Sequence, residues 1–325
     1  MRIFAWLLAL ICLLGSAAGA EEGTGKSTYR FAFMGCNRVG FEVDLAKNPS
    51  TANLEQLRNT LSELHKKDPQ PEYLFFIGDL VLGYTNYLTT VHQLRSWKAE
   101  FERSALARSK TTLVPVMGNH EALLSYQDRE KVWHDYPNPP AVTAWRDQMR
   151  PYLRWKDGPT ALPPNLDSLT STQEDLSFTI KDGGVLFIML NTDTFVDNIT
   201  TGDIPLNWLG QKLAEGQADT EIEHIFVMGH KPLIKPGIDA YIVRDEEIQP
   251  ALDLINQTPK VRAFLTSHYH LWDFREMPGG VPQIIAGNGG SLLKGPFADR
   301  SVGYYGYTVI DILDSGEISV ESWGR

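Results

Sequence analysis

Cysteine is nearly missing from this chain: 325 residues contain two, Cys12 and Cys36. Cys12 sits inside the N-terminal apolar stretch, so the rest of the chain holds one thiol and no intramolecular disulfide framework. Long hydrophobic runs are also lacking. The longest, Ile3 to Leu14, is shorter than the roughly 20 apolar residues a bilayer span needs. Positive charge is in deficit, with 30 Lys and Arg against 40 Asp and Glu and a formal net charge of −10. That balance argues against a general nucleic-acid or anionic-membrane binder, whose affinity comes from basic surface. No linker rich in Gly, Ser or Pro divides the chain, and no internal repeat is visible. The length is near the upper limit of one hydrophobic core, so a single domain carrying loop insertions is expected.

The N-terminus reads as a secretory signal. Arg2 supplies a short positive region, the apolar run follows, and Ala18-Gly19-Ala20 offers a small-residue cleavage site. Residues 1–20 are therefore expected to be removed and the remainder, 21–325, to be secreted or periplasmic, with no membrane segment after cleavage. Cys36 is then an odd thiol in an oxidising compartment, either buried and inert or kept for chemistry.

Strand-like and helix-like segments alternate along the chain. Tyr29 to Met34 predicts a strand, and Leu54, Leu57, Leu61 and Leu64 predict a helix that Ser50 or Thr51 could cap. Tyr73 to Ile77 is a continuous apolar run of the buried-strand kind, a second helix is expected over Val91 to Arg108, and Thr112 to Val116 is the next strand. This β-α-β-α-β order implies a mostly parallel sheet, with ligand sites at the carboxyl ends of its strands. Ile225 to Met228 and Val261 to Thr266 repeat the pattern. Asp182-Gly183-Gly184 between two strand-like runs signals a hairpin, and Pro205 opens a helix with Trp208, Leu209 and Leu213 on one face. Strand-like segments at Pro282 to Ala286, Tyr305 to Ile312 and Ile318 to Trp323 suggest a second, antiparallel sheet packed on the first. Residues 122–175, rich in proline and aromatics, are expected to form an insertion near the site.

Polar motifs stand at the ends of these strands: GDLV at Gly78, GNHE at Gly118, GHKP at Gly229 and SHYH at Ser267. They supply one carboxylate, one amide and three histidines, the mixed oxygen and imidazole kit of hard and borderline divalent metals. In an extended SHYH segment His268 and His270 would point the same way. Singly these motifs are compatible with ordinary turns and strand caps, but four in succession at strand ends point to a metal site. Asn191-Thr192-Asp193 either lines that site or makes a turn, and the same alternatives hold for Gly287-Asn288-Gly289-Gly290. Tyr269 and Trp272 read as packing residues.

From Phe31 to His270 the pattern resembles the calcineurin-like metallophosphoesterases, which include purple acid phosphatases, serine/threonine protein phosphatases and bacterial phosphodiesterases. The resemblance implies an α/β fold, a two-sheet αββα sandwich, and one or two divalent or transition metal ions such as Zn, Fe or Mn. By position, Asp79 resembles the carboxylate that bridges two metals, and Asn119, His230 and His268 resemble the other ligands of the second. His270 resembles a ligand of the first metal, and His120 the histidine that protonates the leaving oxygen. Two metals about 3.5–4 Å apart hold the attacking hydroxide and a phosphoryl oxygen together, and His120, with an ordinary pKa near working pH, suits the acid role.

The first block departs from this pattern. It reads GCNR, with Cys36 where an aspartate is expected and Arg38 where a histidine is expected. Arginine does not ligate metals, so Arg38 either clamps substrate phosphate or forms a structural salt bridge. Cys36 is a thiolate ligand of the first metal, a neutral space-filler, or an oxidation-sensitive position. Two functions follow: an exported metal-dependent hydrolase of small phosphate mono- or diesters, or a metal- and phosphate-binding protein of the same fold with one intact metal site.

Overall fold

The computed structural model describes residues 25–325 apart from 154–166, 168, 170–172, 197–198, 238–241 and 300. The expected signal, residues 1–20, lies outside the described residues, as does part of the expected insertion. Along the chain run β1 (Ser27–Met34), α1 (Leu54–His65), β2 (Tyr73–Ile77), α2 (Tyr87–Arg103), β3 (Thr112–Val116), α3 (Asn119–Ala122), β4 (Leu123–Gln127), β5 (Trp133–Pro137) and α4 (Pro139–Met149). There follow β6 (Phe178–Asp182), β7 (Val185–Leu190), β8 (Thr194–Val196), β9 (Ile199–Asp203), α5 (Leu206–Ala218), β10 (His224–Gly229), α6 (Asp245–Asn256) and β11 (Val261–Thr266). The chain closes with β12 (Trp272–Glu276), β13 (Pro282–Ala286), β14 (Gly306–Leu313) and β15 (Ile318–Gly324).

Two sheets form the centre. One has the order β15-β14-β1-β2-β3 and the other β12-β13-β11-β10-β7-β6. Strands β1, β2 and β3 are mutually parallel, as are β7, β10, β11 and β13. The apolar runs are continuous because every inner strand is buried on both faces. Phe31, Phe33, Phe75 and Ile77 point between the sheets against Phe187, Met189, Phe226 and Met228. The alternate residues Ala32, Met34, Leu74 and Phe76 face Leu57, Leu61, Leu94 and Trp97 of α1 and α2. On the far side Ile188, Ile225 and Val227 meet Trp208, Leu209, Leu252 and Ile255 of α5 and α6. The result is the expected four-layer αββα sandwich.

Several details differ from the sequence reading. The late strands do not together build an antiparallel second sheet. β14 pairs antiparallel with β1 and β15 with β14, extending the first sheet, whereas β13 pairs parallel with β11. Those pairings join distant segments, and apolar alternation within a strand carries no record of its partner. Helix α2 begins at Tyr87, because the Asn86 side chain caps it by accepting from Thr89 N, and it ends at Arg103 before a separate 3₁₀ turn at Leu106–Arg108. Helix α1 is capped by Asn53 rather than Ser50 or Thr51. Thr51 instead accepts the Leu82 N–H through its hydroxyl. The β6–β7 hairpin turns at Gly183-Gly184 as expected, with Gly183 at φ +56°. The described part of residues 122–175 supplies β4, β5 and α4.

Candidate metal centre

The carboxyl ends of β1, β2, β3, β10 and β11 lie together, and each delivers one motif to the same rim of the sandwich. Backbone bonds lock the turns: Cys36 N–H donates to Gly78 O at 3.0 Å, Asn37 N–H to Asp79 O at 2.9 Å, and Ser267 N–H to His230 O at 3.1 Å. Two glycines make the approach possible. A Cβ on Gly78 would lie 2.2 Å from His230 Nδ1, and one on Gly118 would lie 2.5 Å from Asp79 Oδ1. Cys36, Asp79 and His268 adopt φ of +57°, +57° and +64°, a left-handed conformation that non-glycine residues avoid unless their surroundings impose it. SHYH is accordingly not extended. It bends, with Tyr269 N–H donating to Ser267 O and Leu271 N–H to Tyr269 O, both at 2.7 Å.

Three donor atoms converge. His230 Nε2 lies 3.0 Å from Asn119 Oδ1, His268 Nδ1 lies 3.1 Å from Asn119 Oδ1, and the two histidine nitrogens are 3.1 Å apart. Asp79 Oδ1 is 3.2 Å from His230 Nε2. Adjacent ligands of an octahedral ion with bonds of about 2.1 Å are separated by about 3.0 Å, so the triangle matches one face of such a site. The outer hydrogen bonds agree. A carbonyl can only accept, so His230 Nδ1–H donates to Ile77 O at 2.9 Å and leaves Nε2 as the lone pair facing Asp79 and Asn119. The Asn119 side-chain nitrogen donates to the Tyr84 hydroxyl at 2.5 Å, which turns Oδ1 inward. These four residues fit a divalent metal.

Charge is balanced accordingly. Burial pushes the Asp79 carboxyl up, but His230, His120 and Arg38 outweigh it and hold the group well below the usual carboxylate range. Burial pulls His230 down, and Asp79 more than compensates, raising it to about 9. Burial, with His230 and Lys231, holds His268 well below the ordinary histidine value.

Cys36 faces the other carboxylate oxygen of Asp79. Cys36 Sγ lies 3.9 Å from Asp79 Oδ2, and the thiol is fully buried. Burial and the Asp79 charge push its pKa well up. Among the described residues, the His, Cys, Asp and Glu donors that all lie within 4.8 Å of one another are Cys36, Asp79 and His230. His270 stands outside that cluster. Its Nδ1–H donates to Leu292 O at 2.7 Å. Arg38 has no ion pair among the described residues. Its Nη1 reaches only Val39 O, at 3.5 Å, and its buried Nε has no hydrogen-bond partner.

His120 is buried beneath the Tyr84 ring, with centroids 4.0 Å apart. Its Nδ1–H donates to Leu82 O at 2.6 Å, leaving Nε2 3.9 Å from Asp79 Oδ2. The expectation of an ordinary pKa does not hold. Burial pushes it down to about 3, with Arg38 adding to the fall. Sequence reasoning missed Glu121 and Tyr84. The Glu121 carboxylate accepts the N–H groups of Asp79, Val81 and Gly118 at 3.0–3.1 Å and ties two motif turns together. Its place three residues after Gly118, at a helix start, is a capping-box signal. Nothing local marks Tyr84. Asn191-Thr192-Asp193 proves to be a buried support: Thr192 accepts the Lys231 N–H, and Lys231 Nζ sits 2.8 Å from Asp193 Oδ1. The glycines at 287–290 approach the first block's backbone rather than open space. Gly289 N–H donates to Gly35 O, and a Cβ there would lie 2.4 Å from that oxygen.

The family profile of the calcineurin-like phosphoesterases matches residues 30–271. The chain belongs to that family. Members of that family are phosphoesterases that work with one or two divalent or transition metal ions. No curated protein matches it by sequence. Among solved structures it is similar to a purple acid phosphatase from yellow lupin (Lupinus luteus) seeds, with 14% identity and a TM-score of 0.60. That match covers 92% of this chain but 52% of the lupin protein, so this chain spans about half its length. A dimetal phosphatase from Danio rerio shares 12% identity with a TM-score of 0.59, over 92% of this chain and 97% of the other. GAP50, described as the anchor in the inner membrane complex of Plasmodium, shares 14% identity with a TM-score of 0.53, over 92% and 85%. At these identities the likeness is one of fold. Among the described residues no helix is long and apolar enough to cross a membrane.

Proposed function

We propose that this phosphoesterase is an exported, metal-dependent hydrolase of small phosphate esters, with its metal held by Asp79, Asn119, His230 and His268. The observation that carries this reading is the 3.0–3.1 Å triangle of Asn119 Oδ1, His230 Nε2 and His268 Nδ1, with Asp79 against it. When bound, the metal supplies Lewis acidity and lowers the pKa of water. Asp79 brings the negative charge that a cation needs in a buried site, and Asn119 adds an oxygen without further charge.

The remaining steps belong to side chains. Arg38, planar and without an ion pair among the described residues, orients phosphoryl oxygens. His120 has its Nδ1–H fixed on Leu82, so proton exchange is confined to Nε2. It takes the proton released by the attacking water and returns it to the departing oxygen, so that ester and water become alcohol and phosphate. Small residues at Ala18-Gly19-Ala20 support export, and a mature N-terminus at Glu21 is expected by mass spectrometry.

The test is hydrolysis of an aryl phosphate by protein of known metal content. Chelation is expected to abolish turnover, with recovery on readding a divalent metal, and His120→Ala to lower kcat by about 10²–10⁴. Activity that survives complete metal removal, or is unchanged in His120→Ala, rejects the mechanism. One bound metal without hydrolysis of any ester would favour the binding-protein reading that Cys36 motivates.

A further inference from the structure

One lysine outside every motif has its backbone tied to the rim of the site. Ser291 N–H donates to Cys36 O and the Ser291 hydroxyl to Arg38 O, both at 2.8 Å, so the segment after the glycines is sewn onto the first block. Asn37 and Asn53 side chains add bonds to Gly289 O and Gly290 O at 2.9 and 2.8 Å. His270 then grips Leu292 O, and Lys294 N–H donates to His270 O at 3.1 Å. The Lys294 backbone is thereby fixed beside His270, and its side chain, with Nζ 5.9 Å from the Tyr269 ring centroid, lies within electrostatic reach of Arg38, Cys36 and Asp79. Neither cation has a carboxylate partner among the described residues, apart from the shared field of Asp79. Burial and the Arg38 charge lower the Lys294 pKa.

A second ion would have to be held by the first block and His270. The acidic ligands it would find are Cys36 and Asp79, and Asp79 already serves the first ion. A further divalent charge would also be placed near two cations, Arg38 and Lys294, which repel it. Cys36 clusters with Asp79 and His230, both part of the first ion's surroundings, so its sulfur does not mark out a separate position. A phosphate dianion meets the opposite balance. It brings negative charge to two cations that lack a carboxylate partner among the described residues, and offers three non-bridging oxygens, one for the metal and two for the side chains. A phosphodiester has only two such oxygens and a single charge.

We propose that Arg38 and Lys294 form a phosphate clamp in place of a second metal, making this a one-metal enzyme that prefers phosphomonoesters over diesters. The proposal rests on the phosphoesterase reading above, but its readouts do not all need turnover.

The experiment combines elemental analysis, calorimetric titration of the metal-loaded protein with inorganic phosphate, and kcat/KM for an aryl phosphate against the corresponding bis-aryl phosphate. One metal per chain is expected in the wild type, Arg38→Gln and Lys294→Gln alike. Phosphate affinity should fall at least tenfold in each variant, and the monoester-to-diester ratio should fall at least tenfold in the double variant. Cys36→Asp/Arg38→His should raise the metal content toward two. Two metals per wild-type chain would overturn the proposal, as would unchanged phosphate affinity in Lys294→Gln, whose exposed side chain can be replaced without disturbing the fold. One metal with clamped phosphate but no hydrolysis would leave the clamp standing and defeat the hydrolase reading.

Discussion

The Tyr84 hydroxyl lies 2.5 Å from the Asn119 side-chain nitrogen and decides which end of that amide faces His230 and His268. An amide is nearly symmetric in shape, so without this acceptor the nitrogen could turn inward, where it cannot ligate. Tyr84→Phe keeps the ring over His120 and removes only the oxygen. Metal affinity, measured by competition with a chelating dye, is expected to fall about 10–100-fold. An unchanged affinity would show that the amide is oriented by something else.

Glu121 joins the Asp79 turn to the Asn119 turn from a fully buried position. Truncation to alanine leaves three buried N–H groups without an acceptor. Glu121→Ala is expected to destabilise the protein by about 2–4 kcal/mol in urea denaturation. It should also loosen metal binding, because Asp79 and Asn119 lose their common tether. A loss below about 0.5 kcal/mol, the range of an ordinary surface change, would reject this role.

Gly78 stands at φ +79° with His230 Nδ1 2.2 Å from where a Cβ would be. Gly78→Ala must therefore displace the His230 ring from Ile77 O or shift the whole turn. Elemental analysis is expected to show metal content well below that of the wild type, with the far-ultraviolet circular dichroism retained. Full metal content in the variant would mean that the turn relaxes at no cost to the site.

Lys231 and Asp193 form a buried pair, with side-chain exposures of 9% and 0%. The ammonium lies 2.8 Å from Asp193 Oδ1, yet among the described residues neither Asp193 side-chain oxygen has an aligned hydrogen bond, so charge holds the contact. Lys231→Met alone strands a buried carboxylate and should cost about 3–5 kcal/mol. Lys231→Met/Asp193→Leu should recover most of that loss. Additive costs in the double variant would argue against a coupled pair.

Much of the fold was legible because the inner strands are covered on both faces. YLFFI and the runs before GHKP and SHYH announce buried parallel strands, and the polar motif after each announces the rim. Pairing order was not legible. Nothing within Gly306–Leu313 says that it lies beside β1, since a strand's own alternation is the same whichever neighbour it takes. The SHYH bend was hidden as well, because His268 adopts its left-handed conformation under tertiary constraint and against local preference.

The sequence by itself determined the ligand chemistry: which residues carry oxygen and imidazole donors, their order along the chain, and the unusual Cys36 and Arg38. Those are covalent properties, present before folding. Tertiary structure alone decided what surrounds them. It placed Tyr84 on Asn119 across 35 residues, and stitched Ser291 to Arg38 across 253, bringing Lys294 to the rim. Such contacts are chosen by the packing of two sheets and their loops, and no local pattern encodes a partner that distant.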